Sequence, residues 1–297
     1  MIKNINFVSK FRKANIISVI FFILSFIFIT FKGLNYGIDF KGGTLIELRT
    51  EKSMQASLIR ESLNSMHLGE VNVKRFGKDG DYLIKVEQKN TNNNLIPDIK
   101  KTLTDNLNTE VDFRRVENVG PKVSSELLKS GIIAISLSLA AMLLYIWIRF
   151  EWQFSLGAIL AIFHDVIITL GIFSIFSLEI NLSIVAAVLT IVGYSMNDTV
   201  VIFDRVRENL RKYSDIKIYE LTNISINETL SRTIITSVTT LLALLSIYLF
   251  GGEILKGFSL AMILGVIFGT YSSIYIANPI LVALNVSQRT IVKEEKD

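Results

Sequence analysis

Apolar positions fall into six long runs, with one block of mixed, alternating pattern between the first run and the second. A bilayer crossing takes about 20 predominantly apolar residues as an α-helix. The runs Asn15 to Phe31, Ser130 to Ile148, Phe154 to Phe176, Leu182 to Phe203, Thr233 to Phe250 and Phe258 to Leu284 are each long enough to span. In the block from Lys32 to Lys129 the period changes. Gly43 to Thr50 reads as a strand, and Met54 to Met66 carries Leu58, Ile59, Leu63 and Met66 at helical spacing. Val71 to Val73 and Tyr82 to Val86 alternate around Gly77-Lys78-Asp79-Gly80, a hairpin signal. Ile96 to Leu107 reads as a second helix and Val111 to Phe113 as a last strand, while Asn90 to Asn94 reads as a connecting loop. The order βαββαβ predicts a split βαβ, ferredoxin-like unit. That fold hosts unrelated activities and says nothing of function.

The basic residues orient the runs. Lys3, Lys10, Arg12 and Lys13 precede the first; Arg149 lies between the second and third; Arg205, Arg207, Arg211, Lys212, Lys217 and Arg232 lie between the fourth and fifth; the opposite short loops hold only Lys256. By the positive-inside rule both termini are expected in the cytoplasm. A basic start before an apolar run is also the layout of a cleavable signal peptide, but this run exceeds a usual h-region and no small-x-small site follows, so it reads as an uncleaved anchor. The expected fold class is an α-helical polytopic membrane protein with a small α+β periplasmic domain between its first two helices. Its expected divisions are residues 1–31 (N-terminus and first helix), 32–129 (periplasmic domain), 130–284 (the remaining five helices) and 285–297 (a cytoplasmic tail).

Composition agrees with this class. Half the residues are hydrophobic, 20% are charged and the mean hydropathy is +0.45, too apolar for a single soluble domain. The net charge of +4 does not point to nucleic acid, because the basic residues alternate with acids or sit at the ends of apolar runs. With no cysteine the chain has neither disulfides nor thiolate chemistry, and its two histidines, His67 and His164, are far apart in sequence, so neither metal nor cofactor is expected. No nucleotide-binding loop with Gly-Lys-Ser/Thr is present, and no covalent catalysis is expected.

The candidate chemistry lies in polar residues within the apolar runs. Asp198 sits inside the fourth, where a carboxylate costs about 2.5–3.5 kcal/mol on insertion scales and is by default a candidate ion or proton site. Tyr194, one turn earlier, is placed to donate to it. The same run brings Ser183, Ala186, Ala187, Thr190, Gly193 and Asn197, a small and polar face suited to a packed, partly wet interface. The competing reading is a structural acid in a permanent ion pair. Arg232 opens the fifth run; Asp198 lies about 7.5 Å inside its helix end at 1.5 Å per residue. An Asp198–Arg232 pair is therefore within reach, as is an interfacial arginine that merely snorkels. His164 and Asp165 lie in the third run, with Asp165 on a face of small residues at steps of four, Gly157, Ala161 and Thr169. A histidine beside an aspartate suits a proton relay and equally a fixed interhelical hydrogen bond, and the structural role is favoured. Ala261, Gly265, Gly269, Ser273 and Ala277 form a stripe in the last run that calls for close helix packing and no chemistry.

Several motifs then fall in order: Gly37-Ile38-Asp39-Phe40-Lys41-Gly42-Gly43 after the first run, Val119-Gly120-Pro121-Lys122-Val123-Ser124 before the second, Gly193-Tyr194-Ser195-Met196-Asn197-Asp198-Thr199 within the fourth, and Phe203-Asp204-Arg205-Val206-Arg207-Glu208-Asn209 after it. Together they resemble the SecF family, the smaller half of the SecDF protein-export factor, over nearly the whole chain. The resemblance implies a six-helix bundle of the RND superfamily in the bacterial inner membrane. It implies partnership with SecD, the SecYEG channel and a translocating preprotein, with YajC as a further candidate partner, and use of the proton motive force. It also implies that Asp198 carries the proton, that Arg232 regulates it, and that the glycines and Asp39 of Gly37 to Gly43 form a motif at the membrane edge. One half of a proton-driven RND exporter of small molecules or lipids is the alternative, though such exporters usually have two six-helix halves with large outer loops.

Overall fold

Residues 5–51, 53–75, 77–87, 95–213 and 216–291 are described by a computed structural model. In chain order its elements are α1 (Phe11–Phe31), β1 (Asn35–Tyr36), α2 (Ile38–Lys41), β2 (Gly43–Thr50), α3 (Ala56–Asn64), β3 (Val71–Arg75), β4 (Asp81–Val86), α4 (Leu95–Leu107), β5 (Val111–Val119), α5 (Pro121–Arg149), α6 (Trp152–Ile175), β6 (Glu179–Ile180), α7 (Leu182–Lys212), α8 (Ile218–Phe250), α9 (Glu253–Ser272), α10 (Asn278–Ala283) and α11 (Gln288–Ile291). Two units result. One holds Met1–Asn35, Ala134–Leu178 and Ser183–Asp297; the other holds Tyr36–Ile133 and Glu179–Leu182.

The second unit is built on a four-stranded antiparallel sheet in the order β3-β4-β2-β5. That is the split βαβ arrangement that the strand and helix order predicts. Ile46 and Leu48 of β2, Tyr82, Ile84 and Val86 of β4, Ile59 and Leu63 of α3, and Ile99 and Leu103 of α4 form its core, all at most 1% exposed. The buried Tyr82 hydroxyl is satisfied by the Met54 backbone: it accepts from the N–H and donates to the carbonyl. β5 runs to Val119, six residues beyond the expected Phe113. Arg114-Arg115-Val116-Glu117 hid it: exposure alternates unbroken along β5, but beyond Phe113 the half-buried positions are Arg115 and Glu117 while Val116 is exposed, the reverse of an apolar-in, polar-out pattern. The loop Asn90 to Asn94 lies outside the described residues.

Among the described residues six helical stretches are long and apolar enough to span a membrane, the last running Ile254–Ala283. Three helices extend well past their apolar runs: α5 starts at Pro121, α7 continues to Lys212 and α8 starts at Ile218, because polar residues outside lipid continue the same hydrogen-bond ladder. α6, α7 and the last span have 50% or more of their apolar window buried, whereas α1, α5 and α8 have 17% or less. The interior therefore belongs to α6, α7 and α9. Small residues bring these helices together: a Cβ at Gly265 would fall 2.2 Å from Ile191 Cγ1, one at Gly269 3.1 Å from Ser195 Cβ, and one at Gly157 2.8 Å from the Ala277 carbonyl oxygen. The last span is not one continuous α-helix. A π-turn, Ser273–Ala277, separates α9 from α10, where Pro279 supplies no N–H and Asn278 Nδ2 donates to the Ser273 carbonyl at 2.6 Å.

Candidate functional site

α7 carries Asp198 into the interior at 2% exposure. Its Oδ2 accepts one long hydrogen bond, 3.4 Å, from Thr270 Oγ1 of α9, and Thr270 Oγ1 is in turn 2.7 Å from Ser237 Oγ of α8. Three helices thus meet at this carboxylate through hydroxyl groups. Tyr194 does not donate to it: the tyrosine hydroxyl is buried without a hydrogen-bond partner among the described residues. Helix side chains lean toward the N-terminus, so a long ring at position 194 carries its hydroxyl away from residue 198. Asn197 is exposed on the outer side of α7, as are Ala186 and Thr190. Arg232 is exposed at its place in α8 and forms no ion pair with Asp198 among the described residues, although its charge lies within electrostatic reach. The direct pair considered from the sequence is absent in this arrangement, because the carboxylate faces Thr270. Arg205, two turns along α7, is engaged with Glu208 and Glu228, both at 2.6 Å.

Asp165 of α6 is surrounded differently. It is fully buried; Oδ2 accepts from Ser195 Oγ of α7 and Ser272 Oγ of α9, both at 2.6 Å, and Oδ1 lies 2.9 Å from His164 Nδ1. With the carboxylate ionised, the imidazole donates through Nδ1. His164 also stacks against Tyr271, ring centroids 6.2 Å apart, and Tyr271 donates to the Ala14 carbonyl of α1 at 2.9 Å. The imidazole Nε2 is buried with no hydrogen-bond partner among the described residues. Asp165 and Asp198 therefore share α7 and α9, through Ser195 and Ser272 for one and Thr270 for the other. None of these hydroxyl residues stands out in the sequence, where Ser and Thr are scattered through every span. Ser195, one turn before Asp198, falls within the Gly193 to Thr199 motif.

In the other unit, Gly37 N–H donates to the Ile180 carbonyl at 2.8 Å, and a Cβ at Gly37 would lie 2.5 Å from Glu179 Oε1. Gly42 and Gly43 have φ of +82° and +136°, and a Cβ at Gly43 would lie 2.5 Å from the Val86 carbonyl oxygen. Only glycine fits a left-handed backbone against a neighbouring strand. Asp39 Oδ2 accepts from the backbone N–H of Leu182, the first residue of α7, at 2.9 Å. A carboxylate there satisfies one of the donors that a helix leaves free at its start. Among the described residues no cluster of His, Asp and Glu is arranged to hold a metal.

Comparison with known proteins agrees with these motifs. Residues 99–287 match the family model "Protein export membrane protein SecD/SecF, C-terminal", and residues 27–54 match the "SecD/SecF GG Motif". The chain is similar to protein translocase subunit SecF of Rickettsia bellii, 49% identical over 266 residues, covering 89% of this chain and 88% of that one. It is 41% identical to the SecF of Cereibacter sphaeroides over 273 residues, covering 89% of this chain and 84% of that one. Among solved structures it resembles SecDF of Thermus thermophilus, a translocon-associated membrane protein, with a TM-score of 0.86 and 35% identity. That match covers 95% of this chain and 39% of the longer SecDF chain.

Proposed function

Because the chain belongs to the SecF family of protein translocase subunits, we propose that it couples proton movement to preprotein translocation through Asp198, acting with a SecD partner beside the SecYEG channel in the bacterial inner membrane. YajC is a further candidate partner. The observation that carries this reading is the contrast between two buried carboxylates: Asp165 accepts from three donors within 2.9 Å, whereas Asp198 accepts from Thr270 Oγ1 at 3.4 Å, with the Ser237 hydroxyl beside it. A proton arriving at Asp165 must displace three short hydrogen bonds; one arriving at Asp198 displaces only longer contacts with hydroxyl groups. Asp165 and His164 act as an interhelical tie, and Asp198 is the group free to change state.

Asn197, Ala186 and Thr190 on the outer side of α7 support a partner of the same kind, since small and polar residues on an apolar helix suit close packing against another helix rather than lipid. The 39% coverage of the SecDF chain fits a partner that supplies the remainder. In the mechanism, a proton driven by the membrane potential gains about 2.3 kcal/mol per 100 mV. Protonation of Asp198 removes its attraction for the distant Arg232 charge and relieves its need for polar neighbours, so α7 and α8 repack against α9. Arg232 would approach Asp198 in another state of the cycle. Both termini are cytoplasmic in this reading and the sheet-bearing unit is periplasmic.

The test is reconstitution with SecD and SecYEG in proteoliposomes, scoring preprotein translocation with and without an imposed proton gradient. Asp198→Asn is expected to keep assembly with SecD and to abolish the gradient-dependent increment. Full gradient-dependent activity in that variant would overturn the proposal; loss of assembly would make Asp198 a structural acid.

A further inference from the structure

At the polar end of the helical unit, a cleft of about 360 Å³ is lined by Arg149, Asp204, Arg207, Glu208, Arg211 and Lys212. α7 supplies five of the six from one face, at spacings of three and four residues, and α5 supplies Arg149 as its last residue. Two guanidinium groups converge on one buried ring: Arg149 and Arg207 each place Cζ 5.2 Å from the centroid of Phe150, which is 4% exposed. Like charges drawn to one place must be held there, and the holding is visible. Arg207 donates to the Arg149 carbonyl at 3.2 Å and pairs with Glu151 at 3.3 Å, while Arg149 pairs with Asp204 at 3.2 Å. Arg207 Nε is buried with no hydrogen-bond partner among the described residues. Four cations against two acids leave the lining with a surplus of positive charge. Glu208 is moreover engaged with Arg205.

Placement at the end of a helix accounts for Arg211 and Lys212 in the last turn of α7, where cations offset the helix dipole. It does not account for Arg149 and Arg207 meeting them across a concave site. Nor does the general excess of positive charge on the inner side of membrane proteins, which requires no cleft. Depth argues for the ligand: Trp147 and Trp152, 68% and 57% exposed, flank Arg149 on α5 and α6, and exposed tryptophans of this kind sit at the headgroup level. We propose that this cleft is a binding site for the phosphate of an anionic phospholipid headgroup. Planar guanidinium forks match phosphate oxygens, and Lys212 adds a point charge at the rim. The inference rests on the helices spanning a membrane and is independent of any role for Asp198.

The full chain, purified in a neutral detergent, would be titrated with dioleoylphosphatidylglycerol, dioleoylphosphatidylcholine and inorganic phosphate, with bound lipid counted by native mass spectrometry. The phosphatidylglycerol is expected to bind more tightly than the phosphatidylcholine. Arg211→Gln with Lys212→Gln is expected to weaken its binding roughly tenfold or more, given the attraction of each surface cation for anionic lipid. Glu208→Gln, which removes a competing acid, is expected to tighten it. Lys10→Gln with Lys13→Gln removes the same charge from exposed positions outside the cleft and is expected to leave affinity within about twofold. Equal weakening by the two double variants would reduce the effect to general surface charge and overturn the site. Inorganic phosphate competing as tightly as the lipid would assign the cleft to a soluble anion and overturn the lipid.

Discussion

Asp165 and Asp198 show how far two intramembrane carboxylates can diverge in surroundings at similar burial, and the difference is measurable. Asp165→Ala deprives Ser195, Ser272 and His164 of a shared acceptor, and is expected to cost roughly 1–3 kcal/mol of stability. Asp198→Ala removes only long contacts with the Thr270 and Ser237 hydroxyls and is expected to cost less than that, as read by thermal unfolding of the purified protein in detergent. The reverse order would exchange the two roles. In the other unit, Asp81 is held bidentate by Arg49, Nε to Oδ1 at 2.5 Å and Nη2 to Oδ2 at 2.7 Å, which keeps its carboxyl below the usual aspartate range despite burial. A depressed folded-state value means that the stabilisation is present above the ordinary aspartate value and is lost as pH falls through the lower, folded one. Hydrogen exchange of the β4 amides in the full chain should therefore accelerate on acidification below about pH 4, where an unperturbed aspartate begins to protonate. In Asp81→Asn that acid-dependent step should be absent, and its persistence would place the loss elsewhere.

Helix contacts in the membrane unit depend on what glycine omits. Gly265 of α9 faces the whole side chain of Ile191 on α7, with Cγ1, Cδ1 and Cγ2 all within 2.8 Å of where a Cβ would lie. Gly265→Ala must push α9 from α7 or force Ile191 into a poor rotamer, an overpacking cost of about 1–3 kcal/mol. Adding Ile191→Ala should recover part of that loss, because the clash needs both side chains. Strict additivity in a thermal-unfolding cycle would show that the two residues do not meet. This contact matters beyond stability, since the same two helices position Ser195, Asp198, Thr270 and Ser272.

For the molecule as a whole, the proposed topology places the sheet-bearing unit and the start of α8 on opposite sides of the membrane, and a chain with no cysteine accepts single reporter cysteines that test it. Lys78, exposed in the hairpin of the sheet-bearing unit, and Glu220, exposed near the start of α8, can each be changed to cysteine singly. In intact cells with a permeabilised outer membrane, an impermeant maleimide is expected to label Lys78→Cys. It should reach Glu220→Cys only once the inner membrane is broken. Labelling of both under the same condition would discard the orientation read from the basic residues.

Local patterns made the class legible in the sequence, because a spanning helix and a strand each impose a period or a length on successive residues. Gly43 to Thr50 coincides with β2, and the four-strand, two-helix order gave the topology of its sheet. The glycines of Gly37 to Gly43 were visible as a motif, though the Asp39 contact with Leu182 was not, since its partner lies 143 residues away. Asp198 stood out because an acid is rare in an apolar run. Its neighbours did not: hydroxyl residues are inexpensive anywhere in a helix, and only the packing of α7 against α9 and α8 selected Thr270 and Ser237 to meet it. The same packing separated two acids that composition treats alike, giving Asp165 three donors and leaving Arg232 outside contact distance of Asp198. A sequence states which groups are present along one dimension, whereas hydrogen-bond distances between helices depend on their rotation and separation, which the glycine contacts set only after folding.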